Sequence, residues 1–337
     1  MEIHLFLWIF SALTSCVSAG SGFNDKSDLD PSLYNQDWMG SIPDETFISA
    51  IPIPGTQESL SLTGGALVVS QVWSLEKQLR VGVRYFDLRA WIWLSSSTDI
   101  DIRSGNWGIP QGATLASVFR EVLGFLDAHR SEAVLMKVTP SGLFKDRVAQ
   151  KVKKLVEKFE SRIWAKVSVP TLKQVRGKIV FLQNKHFTWG TENHKSKFFE
   201  SNKLTDVEYK IKHVRWHLCG HYILLTETAS PLYRSPKTLA RSVNQQLSHL
   251  VRSRRRSGCL GVLSLAFPSA ALIRDIIRLG VCSCGPPEPS GPGPEPPASA
   301  EPGAEHGGER AEPAGPEPKP GPETGEPTVK PEEPVRT

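Results

Sequence analysis

From about Asn35 to Gly280, short apolar runs alternate with stretches of helical periodicity, and this alternation constrains the chain more than any other feature. The runs Ala50–Ile53, Val83–Arg89, Ile100–Ser104, Ala133–Thr139, Lys178–Gln183, Tyr222–Thr226 and Gly261–Leu265 read as strands. Helices are expected at Val69–Leu79, Leu115–His129, Lys145–Phe159, Lys237–Val251 and Ala270–Leu279. Strand and helix in turn predict βα units and a parallel sheet, open or closed into a barrel. Roughly 245 residues suit a single α/β domain. Ligands of such folds collect where strands end at their C-terminal edge, which directs attention to "IPGTQES", "RYFDLRAW" and "IDIRSGNWG".

The two-residue period of "VGVRYFDLRAW" puts Val83, Tyr85, Asp87 and Arg89 on one strand face, with Asp87 and Arg89 adjacent at its end. An arginine there offers a planar, permanently charged fork suited to phosphate, and a neighbouring carboxylate can orient it or hold a metal. A structural Arg–Asp pair closing a barrel end is the plainer reading. In "IPIPGTQES", Gln57 follows a tight Pro54-Gly55-Thr56 turn, and an amide there can hold a ligand but takes up no proton at neutral pH.

Both ends differ from this block. Residues 285–337 are dominated by Pro, Glu, Gly and Ala; from Pro286 onward there are 16 prolines and 11 glutamates against 4 Lys/Arg. A segment with so little to bury is expected to be disordered. Its net charge of −7 leaves +12 on the rest of a chain whose formal total is +5, a balance that suits an anionic partner such as phosphate groups or an acidic membrane surface, or is simple solubility charge. No nucleic acid partner is expected, and oligomeric state is not legible. "MEIHLFLWIFSALTSCVSAG" reads as a secretory signal peptide over residues 1–19, cut after Ala19, which makes the expected location extracellular. Secretion turns Cys219, Cys259, Cys282 and Cys284 into disulfide candidates with three pairings, bridges from 282 and 284 to 219 and 259 being favoured over a 282–284 link. "HVRWHLCGH" gathers His213, His217, Cys219 and His221, zinc-ligand types without a second cluster, so no metal is expected. "VRSRRRSG", with Arg252 and Arg254 to Arg256, is a solvated turn, a lipid-contacting loop or a processing site.

Four stretches in order, "DWMGSIPDETFISAIPIPGTQES", "QLRVGVRYFDLRAW", "IDIRSGNWG" with "SVFREVLGFLDAHRSEAVLMKV", and "VRGKIVFLQ", resemble the phosphatidylinositol-specific phospholipase C X-domain family, above all its small secreted bacterial type. The resemblance runs from about Tyr34 to Leu279 and is strongest through Val138. It implies an irregular TIM-like (β/α) barrel, a single domain over 35–280, with no calcium requirement and no cofactor. It also implies phosphoric diester hydrolase chemistry. The inositol 2-hydroxyl attacks its own phosphorus and water opens the cyclic product, with two histidines moving protons and an arginine bearing the phosphate.

Mapped on this chain, the first histidine position is Gln57, followed by Glu58 for the family aspartate. The second is Ser104, before Gly105. Asp87 and Arg89 match the family's Asp and Arg. A supporting aspartate falls on Ala266, and a phosphate-side lysine falls on Thr139 with Lys137 two residues away. Tyr209 matches a tyrosine that packs on the inositol ring. Each general acid or base is worth about 10²- to 10⁴-fold in rate. The expectation is therefore a pseudoenzyme binding an inositol phosphate or phosphoinositide headgroup through Arg89. A true phosphodiesterase with Glu58 as substitute base, and a protein-binding scaffold, are the alternatives. Trp91, Trp93 and Trp107 fall near the expected rim, where they dip into a membrane interface, stack on a polyol ring or serve as core.

Overall fold

The structure, a computed structural model, describes residues 20–105, 107–196, 199–200, 203–204, 218, 222–227, 235–253 and 258–283. The leader through Ala19, Tyr209, His213, His217, Cys219, His221, Arg254 to Arg256, Cys284 and the tail lie outside the described residues.

Twelve strands are described: β1 Ile53–Thr56, β2 Tyr85–Trp91, β3 Asp101–Ser104, β4 Ile109–Thr114, β5 Val134–Pro140, β6 Ile163–Trp164, β7 Ile179–Phe181, β8 Asn193–Ser196, β9 Phe199–Glu200, β10 Lys203–Leu204, β11 Ile223–Glu227 and β12 Val262–Leu265. The helices are α1 Leu75–Val81, α2 Leu115–Ala128, α3 Lys145–Lys158, α4 Leu172–Val175, α5 Pro236–Ser253 and α6 Ala270–Ile277. Strand order in the main sheet is β6-β7-β5-β2-β1-β12-β11-β8, and every neighbour in that path is parallel. A parallel bridge from Leu182 to Thr191 brings the residue after β7 beside the approach to β8, so the sheet curls round on itself. This is the parallel sheet expected from the alternation, curled into the TIM-like α/β barrel that the family resemblance implies.

Strands covered on both faces read as continuous apolar runs, and β1, β5, β7, β11 and β12 do so because helices pack outside and a lumen lies inside. Ile53, Tyr85, Leu135, Val180, Leu225 and Val262 fill the lumen floor. Phe86, Leu88 and Met136 point outward against Val118, Phe119 and Val122 of α2. A capping box between Thr114 and Ser117 starts α2, and Ser74 caps α1.

Two expected elements move. The first strand begins at Ile53 rather than Ala50 and runs through the Pro54-Gly55 that read as a turn. The strand tolerates Pro54 because its carbonyl still accepts from the Arg84 amide at 2.9 Å. Gly55 is required, since a Cβ there would lie 2.5 Å from the Tyr85 ring. The helix expected from Val69 begins only at Leu75, because Ser70 and Gln71 donate their amides to Ser61 and close a loop instead. The β3–β4 hairpin, antiparallel to β2, is an insertion whose second strand the half-exposed "IPQGAT" did not reveal.

At the end opposite the site, Arg84 and Glu132 form a fully buried pair at 2.9 Å. The guanidinium also donates to the carbonyls of Leu79, Val83 and Gln36, and Glu132 accepts from the Met39 amide and Ser131 hydroxyl. Cys259 and Cys282 are disulfide-bonded, one of the links left open by the sequence. Among the described residues no helix is long and apolar enough to cross a membrane.

Candidate active site

The turn after β1 delivers the first two site residues. Gln57 donates its amide to the Leu265 carbonyl at 2.9 Å, and the buried Gln71 side chain donates to the carbonyls of both Gln57 and Leu265. The next residue, Glu58, has φ of +42°, a left-handed conformation uncommon for a residue with a side chain, and its carbonyl accepts from the Ser61 amide at 2.8 Å. This turn sends the Glu58 carboxylate towards β2 and β3. Oε1 lies 2.6 Å from Arg89 Nη2, and Oε2 accepts from the Gly105 amide at 2.9 Å.

Ser59 ties the same turn to Asp87, donating its amide to the Asp87 carbonyl and accepting the Asp87 amide on its hydroxyl. Asp87 pairs in register with Lys137, and Arg89 with Thr139, so β2 and β5 present these four side by side. Asp87 keeps some surface open to the mouth yet is deep enough for desolvation to dominate. Burial, aided by Glu227 and Glu58 and opposed by Lys137 and Arg89, pushes its carboxyl from 3.8 to about 6.

Across the lumen stands a residue that the sequence reading missed. Glu227, at the end of β11, meets Lys137 Nζ at 2.5 Å through one oxygen and Lys195 Nζ at 2.6 Å through the other. Burial alone would raise Glu227, but the two ammonium groups outweigh it and hold the carboxyl below its ordinary value. The signal available was only its place at the end of an apolar run. Beneath it the fully buried Tyr85 hydroxyl has no protein partner among the described residues, and burial with the nearby Asp87 and Glu227 charges raises it well above its usual range.

Thus Gln57, Glu58, Asp87, Arg89 and Ser104 come together at one barrel end, with Lys137 beside them. Ser104 is buried at the end of β3 next to Gly105. Ala266 lies just past β12 in an apolar cluster with Ala240 and Phe267, its carbonyl held by Asn244. Each cation has a carboxylate at hand, Arg89 with Glu58 and Lys137 with Glu227, and the Arg89 side chain remains 37% exposed at the opening. Among the described residues no group of three or more His, Cys, Asp and Glu side chains is arranged to hold a metal.

A TIM-like barrel with a cationic and acidic cluster at the C-terminal ends of its strands defines the class. Within it the chain is homologous to bacterial phosphatidylinositol-specific phospholipase C. It is 25% identical over 287 residues to the 1-phosphatidylinositol phosphodiesterase of Listeria monocytogenes, an alignment covering 73% of this chain and 86% of that protein. The fold matches the solved phosphatidylinositol-specific phospholipase C from Listeria monocytogenes with a TM-score of 0.59 at 23% identity, over 73% of this chain and 99% of that one. A Staphylococcus aureus phosphatidylinositol-specific phospholipase C variant matches with a TM-score of 0.56 at 15% identity, over 74% and 99% of the two chains. No protein-family model matches the chain.

Proposed function

We propose that this chain is a phospholipase-C-like protein that holds an inositol phosphate or phosphoinositide headgroup at Arg89 without cleaving its phosphodiester. The observation that carries the reading is the state of the proton-transfer positions. Gln57 is an amide, Ser104 is a buried hydroxyl, and both oxygens of Glu58 are already engaged by Arg89 and Gly105. That engagement also disfavours Glu58 as a substitute base, because swinging the carboxylate onto a substrate hydroxyl would break its contacts with Arg89 and Gly105. Arg89 and Lys137 supply the positive charge that a phosphate ester needs.

A second reading has one observation in its favour. Asp87, with its carboxyl at about 6, is better tuned for base chemistry near neutrality than an ordinary aspartate. Purified full-length protein given phosphatidylinositol in detergent micelles is expected to release no inositol phosphate, while binding soluble inositol 1-phosphate in a manner lost in Arg89→Ala. Turnover that rises through pH 6 and disappears in Asp87→Asn would establish the phosphodiesterase instead. Absence of both turnover and Arg89-dependent binding would leave the scaffold reading.

The proposed location is extracellular, supported by the leader-like first 19 residues and by the Cys259–Cys282 bridge, since disulfides persist in oxidising compartments.

A further inference from the structure

Helix α3 packs on the outside of β2 and β5 through Val148, Val152 and Val156, which are buried. The rest of its surface is strongly basic, with Lys145, Arg147, Lys151, Lys153, Lys154 and Lys158 against only Asp146 and Glu157. All of these cations except the half-buried Lys151 are exposed. Among the described residues none of the six is paired with a carboxylate. Helix α5 provides the contrast, since its Lys237 and Arg241 meet Asp25 at 3.0 and 3.4 Å and its Arg252 meets Asp275 at 2.9 Å.

Arg147, Lys151, Lys154 and Lys158 recur at i, i+4, i+7 and i+11, so they stand in one line along the solvent side of α3. The line is about 16 Å long at 1.5 Å per residue, with neighbouring Cβ atoms about 5 to 6 Å apart. For the helix itself this arrangement is unfavourable. Like charges three and four residues apart repel one another. Lys145 and Arg147 also stand in the first turn, at the positive end of the helix dipole, where Asp146 alone opposes them and the N-cap residue Phe144 supplies no side-chain hydrogen bond. A charge pattern that weakens its own helix and pairs with nothing in the chain points to a partner outside it.

We propose that the α3 stripe binds a linear polyanion of the sulfated-polysaccharide class. A single narrow line of charge fits an extended chain that carries sulfate and carboxylate groups along its length. Lysine ammonium groups pair with such groups as compact point charges. None of the large apolar side chains of α3 is exposed, so the stripe has nothing to insert into a bilayer. The +12 formal charge outside residues 286–337 adds long-range attraction for any polyanion. The choice of a polysaccharide over nucleic acid rests on the proposed extracellular location, whereas the stripe is independent of the Arg89 site.

Isothermal titration of the full chain with a heparin oligosaccharide tests it. Wild type is expected to bind with an affinity that falls as salt rises. The triple variant Lys151→Gln/Lys154→Gln/Lys158→Gln should lose about 10-fold or more in affinity. It should unfold at the same or a higher urea concentration, because repulsion within the helix is relieved. A second triple variant, Lys26→Gln/Arg130→Gln/Lys173→Gln, removes the same charge from other surfaces and should bind nearly as wild type. No binding by wild type, unchanged binding by the stripe variant, or equal losses in both triple variants overturns the inference, the last because net charge alone would then explain the attraction. A stripe variant less stable than wild type overturns it as well, since the cations would then serve the fold. So does stripe-dependent preference for a DNA duplex, or for phosphatidylcholine vesicles containing phosphatidylserine, over the oligosaccharide.

Discussion

Glu58 changes what the retained Arg89 means. From the sequence, Arg89 stands as a surviving phosphate holder; in the structure it is held at 2.6 Å by a carboxylate of its own chain, which also takes the Gly105 amide. A guanidinium and a backbone N–H around one carboxylate make an anion cradle that already has an anion in it. Glu58→Gln should therefore raise affinity for soluble inositol 1-phosphate by roughly 10-fold, about 1.4 kcal/mol. Isothermal titration measures this, and unchanged or weaker binding would sink the cradle reading. Asp87 gives a second prediction at this scale. Its folded carboxyl sits at about 6 against an ordinary 3.8, so between these values the folded state binds more protons than the unfolded state. Stability then falls as pH rises from about 4 to about 6 and is flat above, the cost at neutrality being about 3 kcal/mol. Asp87→Asn should flatten that slope and raise stability at pH 7 by up to this amount, as read from urea unfolding across pH.

At the scale of elements, the strands were legible and the loops that equip them were not. Buried runs such as "AVLMKVT" and "GVLSLA" announce parallel strands because both of their faces are covered. The β3–β4 hairpin gave a weaker signal, since β4 is half-exposed and contains Pro110 and Gly112. Glu227 escaped notice for a different reason. A single acid after an apolar run says nothing about what lies across the lumen, and only the curl of the sheet brings Lys137 and Lys195 to it. Gln57, Asp87 and Arg89 stood out at strand ends, while Glu58 and Ser104 were singled out by the family resemblance alone. Their mutual pairing was not legible, because it depends on the left-handed turn at Glu58.

For the whole molecule, the two ends of the barrel divide their tasks. The site end exposes charge and apolar tips, while the opposite end buries Arg84 against Glu132, with the Leu79, Val83 and Gln36 carbonyls and the Met39 amide bonded to the pair. Removing one member leaves the other charged and dry, so Glu132→Ala should cost about 3 to 5 kcal/mol. Replacing both in Arg84→Met/Glu132→Leu should cost less than that single change in chemical denaturation. A double variant as unstable as the single would mean that the pair is not the source of the loss.

The sequence by itself determined the alternation of strand and helix that builds a parallel sheet, and the strand ends where Gln57, Asp87 and Arg89 stand, because these follow from local periodicity and residue chemistry. Tertiary structure alone decided that Arg89 is neutralised by Glu58, that Lys137 and Lys195 share Glu227, and that the β3–β4 hairpin tip and the loop after β5 pack on Trp91. Each of those contacts joins side chains far apart along the chain or turned by a local backbone conformation, and no periodicity encodes where such groups meet.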